Sequence, residues 1–133
     1  MRKSALLLAL AFSQLLISIN PVQAAAATGK YSLVVSYQQS LETPPQKWTI
    51  KCNPPGGSGK NANVICKKLL SIKDPFQMNQ KDDMCAQIFE SAEVAKVKGT
   101  WNGKPISNSY SKINGCEQAR WKKISFLIQG VKI

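Results

Sequence analysis

The stretch YSLVVSY, Tyr31 to Tyr37, alternates in side-chain character and is rich in β-branched residues. A period of two marks a strand, because successive side chains on an extended backbone point to opposite faces. Working outward, Glu42-Thr-Pro-Pro-Gln46 is a turn, and Lys47-Trp-Thr-Ile-Lys-Cys52 alternates again as the pairing partner. Asn53-Pro-Pro-Gly-Gly-Ser-Gly59 is a strong loop signal. Asn61 or Asn63 is placed to cap a helix over about 62–72, with Val64, Ile65, Leu69 and Ile72 as its stripe and Cys66 on the adjacent face. Asp74-Pro75 ends it, and a short helical turn is expected around Phe76. Glu93 to Lys98 reads as a strand, Asn102-Gly103 as a two-residue hairpin turn, and Pro105 to Ile113 as the returning strand. KISFLIQGVKI, Lys123 to Ile133, reads as a final strand. The expected fold is α+β: an antiparallel sheet of about five strands packed by one or two helices, with two disulfides. Trp48 and Trp101 read as core or turn packing.

Ahead of this domain, Arg2 and Lys3 precede an apolar run from Ala5 to about Ile19, followed by Pro21 and the small-residue exit Val22-Gln23-Ala24. That is the pattern of a secretory signal peptide. Ser13 and Gln14 interrupt the run, which is short for a membrane span. Residues 1–24 are therefore expected to be cleaved, leaving a secreted domain over 25–133 with no membrane segment. At about 109 residues it suffices for one domain with a modest core.

The domain contains Cys52, Cys66, Cys85 and Cys116. An even count after a signal peptide points to disulfides, and four cysteines allow three pairings. Sequence order favours Cys52–Cys66 and Cys85–Cys116, but spacing alone leaves the others open. The net charge is +11, or +9 without Arg2 and Lys3. The basic residues are spread out, clustering only at Lys67-Lys68 and Arg120-Trp121-Lys122-Lys123. Diffuse charge speaks first for solubility; the second reading is a basic module that binds polyanions or an acidic surface.

No histidine occurs. That removes Ser-His-Asp and Cys-His catalysis and the usual zinc chemistry. Gly56-Gly-Ser-Gly59-Lys60 lacks the spacing of a phosphate-binding loop. Asp82-Asp83 and Glu90 with Glu93 are imaginable carboxylate pairs, but beside a turn they read as solvated charges. The expectation is a protein that is not an enzyme, with no catalytic residue, metal, cofactor or nucleic-acid partner.

Binding remains, and KDDMCAQIFESAE, Lys81 to Glu93, is the stretch that invites it. Met84, Ile88 and Phe89 are either core residues beside a bridge or parts of an exposed loop. A substrate-like inhibitor loop must present extended backbone to a protease cleft, where it pairs by main-chain hydrogen bonds. Its ends must be braced, so that binding costs little ordering entropy and a cleaved bond can re-form. A disulfide at Cys85 is such a brace.

Met84-Cys85-Ala86-Gln87-Ile88-Phe89, Gly99-Thr-Trp-Asn-Gly103-Lys104 and Asn114-Gly115-Cys116 together resemble the Streptomyces-type subtilisin inhibitors, as does Thr49-Ile-Lys-Cys52-Asn-Pro-Pro-Gly56 followed by Cys66. The resemblance covers about 31–133 and rests on cysteine order, cysteine spacing and the Gly-x-Trp-x-Gly turn in combination. It implies a secreted inhibitor of subtilisin-like serine proteases, often dimeric, with five strands, two helices and bridges Cys52–Cys66 and Cys85–Cys116. A homodimer is one expected assembly. The residue two after the third cysteine fills the specificity pocket in the family, which places the scissile bond at Gln87–Ile88. Asn114 matches an asparagine expected to brace the loop together with Cys116. This chain departs from the pattern with Ala86 in place of a usual proline, Gln87 in place of methionine or lysine, and no histidine near Lys60. The same scaffold retooled against another protease class, such as a metalloprotease, is a further reading.

Overall fold

The structure, a computed structural model, describes residues 29–80 and 83–129. The expected signal peptide lies outside the described residues. Strands β1 (Ser32–Gln38), β2 (Gln46–Lys51), β3 (Ser91–Trp101) and β4 (Lys104–Lys112) join helices α1 (Ala62–Ser71) and α2 (Gly115–Gln129). The strands form one antiparallel sheet in the order β2-β1-β3-β4.

β1 lies inside the sheet because its alternation serves both neighbours. Leu33, Val35 and Tyr37 are buried, and Val35 sits opposite Trp48 of β2 and Val97 of β3. Its other face is the open side of the sheet. The β3–β4 hairpin turns at Asn102 and Gly103 as expected, with φ of 50° and 75°. Two consecutive positive φ values suit the right-handed twist of a tight hairpin, and asparagine and glycine tolerate them best. β3 is longer than its alternating segment. It begins at Ser91, passes a bulge between Ser91 and Val94, and runs through Gly99 to Trp101.

At Gly99, β3 lies hard against the β1 backbone. Its φ is +141°, and a Cβ there would stand 2.1 Å from the Ser32 carbonyl oxygen. Neither the backbone conformation nor the space suits a side chain. Gly99→Ala should therefore destabilise the protein by about 2–4 kcal/mol, from the strained φ plus the forced separation of two paired strands. A denaturant titration checks this; a midpoint within error of the parent would show that the strands yield without cost.

The helices cover the inner face. α1 buries Ile65, Cys66 and Leu69 against β2, while Val64 is 68% exposed and lies off the expected stripe. The Cys52–Cys66 bridge ties it to the end of β2. Asn61 precedes the helix in a left-handed conformation and its side chain makes no capping bond. Phe76 is buried, edge-on to Trp101 with ring centroids 5.5 Å apart. Trp48 is buried and Trp101 half-buried, both against the core.

The C-terminal segment corrects the sequence reading. Of the residues read as a final strand, 123–129 belong to α2, so among the described residues the sheet has four strands and not five. Ile124, Phe126 and Ile128 mimic a period of two. The buried set is Arg120, Trp121, Ile124, Leu127 and Ile128, which follows the three-to-four spacing of one helix face. Asn114 starts this helix by accepting the Glu117 N–H at 2.9 Å, and Glu117 adds an acidic side chain to the first turn. Both are ordinary N-terminal signals. α2 packs against β4 and β1. Residues 130–133 lie outside the described residues.

Candidate functional site

The segment from Asp83 to Glu90 leads into β3 without regular structure of its own. Met84 is 100% exposed, and Ile88 and Phe89 are each 65% exposed. These apolar side chains are therefore not core. The segment passes across the start of α2, and its attachments come from there.

The first attachment is covalent. Cys85 and Cys116 are bridged, with Cα atoms 5.2 Å apart. The second is to backbone. The Gly115 N–H donates to the Ala86 carbonyl at 2.8 Å. The loop lies in contact with Gly115: a Cβ there would stand 3.4 Å from the Ala86 Cβ and 3.5 Å from its carbonyl oxygen, ordinary packing distances that a small side chain could meet. The third is a side chain. Gln118 Nε2 donates to the Ile88 carbonyl at 2.6 Å and to the Lys112 carbonyl at 3.3 Å. The carbonyls before and after Gln87 are thus both held by the first turn of α2.

At Gln87 the chain bends. The Ile88 N–H donates to the Ala86 carbonyl at 2.9 Å, closing a three-residue turn centred on Gln87. The Gln87 side chain is exposed but folds back, its Nε2 donating to the Cys85 carbonyl at 2.9 Å. Asn114, expected as a brace, acts on the helix: its side chain holds the Glu117 N–H. Its effect on the loop passes through the start of α2, where Gly115 and Cys116 follow it.

Downstream, the loop is anchored to the sheet. The Glu90 N–H donates to the Lys112 carbonyl at 2.9 Å. Lys112 Nζ lies 3.0 Å from Glu90 and 2.8 Å from Glu93, and stands 5.1 Å from the centre of the Trp121 ring. Tyr37 donates its hydroxyl proton to Glu93 at 2.5 Å, and Ser91 does so at 2.9 Å. Burial pushes the Glu93 carboxyl up, but the hydrogen bonds from Lys112, Tyr37 and Ser91 and the Lys112 charge outweigh it and hold the group down at about 2. Tyr37 moves the other way, to about 12, because burial and the Glu93 carboxylate both oppose its ionisation. The Lys112 pKa is raised, chiefly by its hydrogen bond to Glu93. Glu90 and Glu93 therefore share one cation and Glu93 stays ionised, which makes this a structural ion cluster. Asp82 of the other imagined pair lies outside the described residues.

Linkage gives this cluster a pH signature. A carboxyl with a folded pKa below its unfolded value stabilises the protein above about 4.5, and that stabilisation fades as the pH falls toward about 2. With screening at the half-open rim taken into account, the loss should be about 1–2 kcal/mol. Denaturant midpoints of the parent and of Glu93→Gln should converge over that range. Parallel pH profiles would assign the acid sensitivity to other groups.

Gln118 and Lys112 carry no signal in the sequence, and Gly115 enters it only as part of the Asn114-Gly115-Cys116 motif. Gly115 stood in plain sight between Asn114 and Cys116; Gln118 carries no local signal, since its partner is 30 residues away. The bent, tethered loop on a four-stranded sheet with two helices and two bridges can present a short apolar run while keeping both ends fixed. A scan against family models matches residues 27–114 to the subtilisin inhibitor-like family. No curated protein matches the chain. The matched stretch spans all four strands, the first helix and the whole exposed loop, so the chain belongs to the subtilisin inhibitor-like family.

Proposed function

We propose that this protein is a secreted inhibitor of subtilisin-like serine proteases that offers Met84 to Phe89 as a substrate-like loop, with Gln87–Ile88 as the scissile bond. Family membership supports inhibition of this general type. One observation carries the finer reading. The two carbonyls flanking Gln87 are each tied to α2, one by the Gly115 N–H and one by the Gln118 side chain, while Cys85 is bonded to Cys116. A protease that cuts between Gln87 and Ile88 would then find both new ends still fastened in place. Religation stays close to an intramolecular reaction, and the complex dissociates slowly as intact inhibitor. Signal cleavage after Ala24 and export belong to the same proposal.

The protease would bind the loop by main-chain pairing, with Ala86 on the acyl side and Ile88 and Phe89 on the leaving side. Gln87 must swing away from the Cys85 carbonyl to enter a pocket, which forfeits one hydrogen bond at a cost of about 1 kcal/mol. Inhibition by the natural loop should therefore be real but weaker than a loop of this rigidity allows. Titrating subtilisin with the disulfide-intact protein should give stoichiometric loss of activity at micromolar concentration. Full residual activity at a tenfold excess of inhibitor would refute the proposal.

A further inference from the structure

Residues 77–80 have no regular structure of their own, yet they are held to α2 through Arg120. Arg120 is only 5% exposed. Its Nη1 donates to both carboxylate oxygens of Glu117, at 3.0 and 2.9 Å, and its guanidinium lies 4.5 Å from the centre of the Tyr110 ring. Its Nη2 donates to the Met78 sulfur at 2.9 Å. Glu117, fixed in this way, accepts a bond from the Asn79 side-chain amide at 3.1 Å. From β4, Asn108 adds a bond to the Phe76 carbonyl at 2.7 Å. The hold on Asn79 then passes along the chain. The Gln80 N–H donates to the Asp83 carboxylate at 2.9 Å, and the Asp83 N–H donates to the Gln80 carbonyl at 3.2 Å, one residue before Met84.

We propose, resting on the reading of Met84 to Phe89 as the protease contact, that Arg120 is a positioning residue for this loop and sets the direction in which its acyl side leaves the domain. The Cys85–Cys116 bridge fixes one point of the acyl side. A single point is a pivot, about which Met84 and the residues before it can turn. Asn79, held through Glu117, supplies a second point, and two points define a line. A protease that pairs with the loop main chain needs that line in register with its own edge, so a loop already aligned loses less entropy on binding. Stability alone does not call for this arginine. Its Nε is buried and finds no hydrogen-bond partner among the described residues, and apolar side chains of similar volume often match or exceed a buried ion pair. An apolar side chain at 120, however, could neither aim the Glu117 carboxylate nor donate to Met78.

Arg120→Met keeps the bulk of the side chain and removes its bonds. Amide hydrogen exchange of the free, disulfide-intact protein reads the positioning without a protease: the Gln80 and Asp83 amides should exchange at least ~10-fold faster in this variant. Leu69→Ala lowers stability through the α1 core, away from this network, and should leave the same two amides within ~2-fold of the parent, because they open locally. Titrated against subtilisin where every protein is folded, Arg120→Met should inhibit at least ~10-fold more weakly than the parent and Leu69→Ala no more than ~2-fold. Asn79→Ala should reproduce most of the Arg120→Met loss, and the two together should add no more than ~3-fold, because both remove one link. Should Arg120→Met fail to fold, Asn79→Ala, which leaves α2 untouched, decides on the same two readouts. Equal loss of inhibition in Leu69→Ala would overturn the proposal in favour of general destabilisation. A parent that inhibits, with Arg120→Met or Asn79→Ala equal to it in exchange or in inhibition, overturns this proposal alone. A parent without inhibition overturns the reading of the loop and this proposal with it.

Discussion

Replacing Cys85 and Cys116 together by serine should, on the proposed function, turn this protein from an inhibitor into a substrate. The bridge closes a separation of 31 residues between the loop and α2. Loss of a closure of that length costs about 3–4 kcal/mol of stability in the chain-entropy view. The larger consequence is local. Without the bridge, the Gly115 bond to Ala86 is what still ties the acyl side of the loop to α2 among the described residues, and cut ends should separate before they can religate. Mixed with subtilisin in excess, the parent should persist for hours largely intact, whereas the double variant should be cleaved at Gln87–Ile88 with inhibition weakened by at least ~100-fold. Mass spectrometry of the digest locates the cut. A double variant that stays folded, resists cleavage and inhibits like the parent would show that α2 alone suffices as the brace, or that the loop is not the contact.

Gln87→Lys should redirect the inhibitor. Trypsin selects a cationic side chain through a carboxylate at the base of its specificity pocket. A glutamine offers that carboxylate no charge, and here it is also bonded to the Cys85 carbonyl. Lysine supplies the charge through a long flexible stem, and a charge-assisted hydrogen bond is roughly twice as strong as a neutral one. Trypsin inhibition should strengthen by ~100-fold or more, with stability lowered by about 1 kcal/mol at most, because position 87 is exposed and the substitution gives up only the bond to the Cys85 carbonyl. If trypsin inhibition does not move, another residue fills the pocket and the scissile bond lies elsewhere.

The strands around β1 and the turn at Asn102-Gly103 were legible because each depends on short-range rules. Alternation selects a face, and two positive φ values select asparagine and glycine. α2 was misread because KISFLIQGVKI carries both periods at once. Ile124, Phe126 and Ile128 fit alternation, and the helical face becomes plain only when Arg120 and Trp121 are counted with Ile124, Leu127 and Ile128. Asn114 and Glu117 announced the helix, yet Asn114 had been assigned to the loop by resemblance. Its side chain instead serves the helix, which in turn holds the loop.

Composition and local pattern thus settle the class of fold and single out the apolar run from Met84 to Phe89, and the family follows from the match over residues 27–114. Tertiary structure decides the rest, because it depends on register and docking over long separations. Gly115 and Gln118 reach the carbonyls on either side of Gln87 only when α2 lies against β4. Lysines that look scattered along the chain, at 47, 51, 96 and 98, form one surface only because β1 pairs with β2 on one side and with β3 on the other. Strand pairing turns positions far apart in the chain into neighbours about 5 Å apart per strand, and a sequence read locally contains no term for that distance.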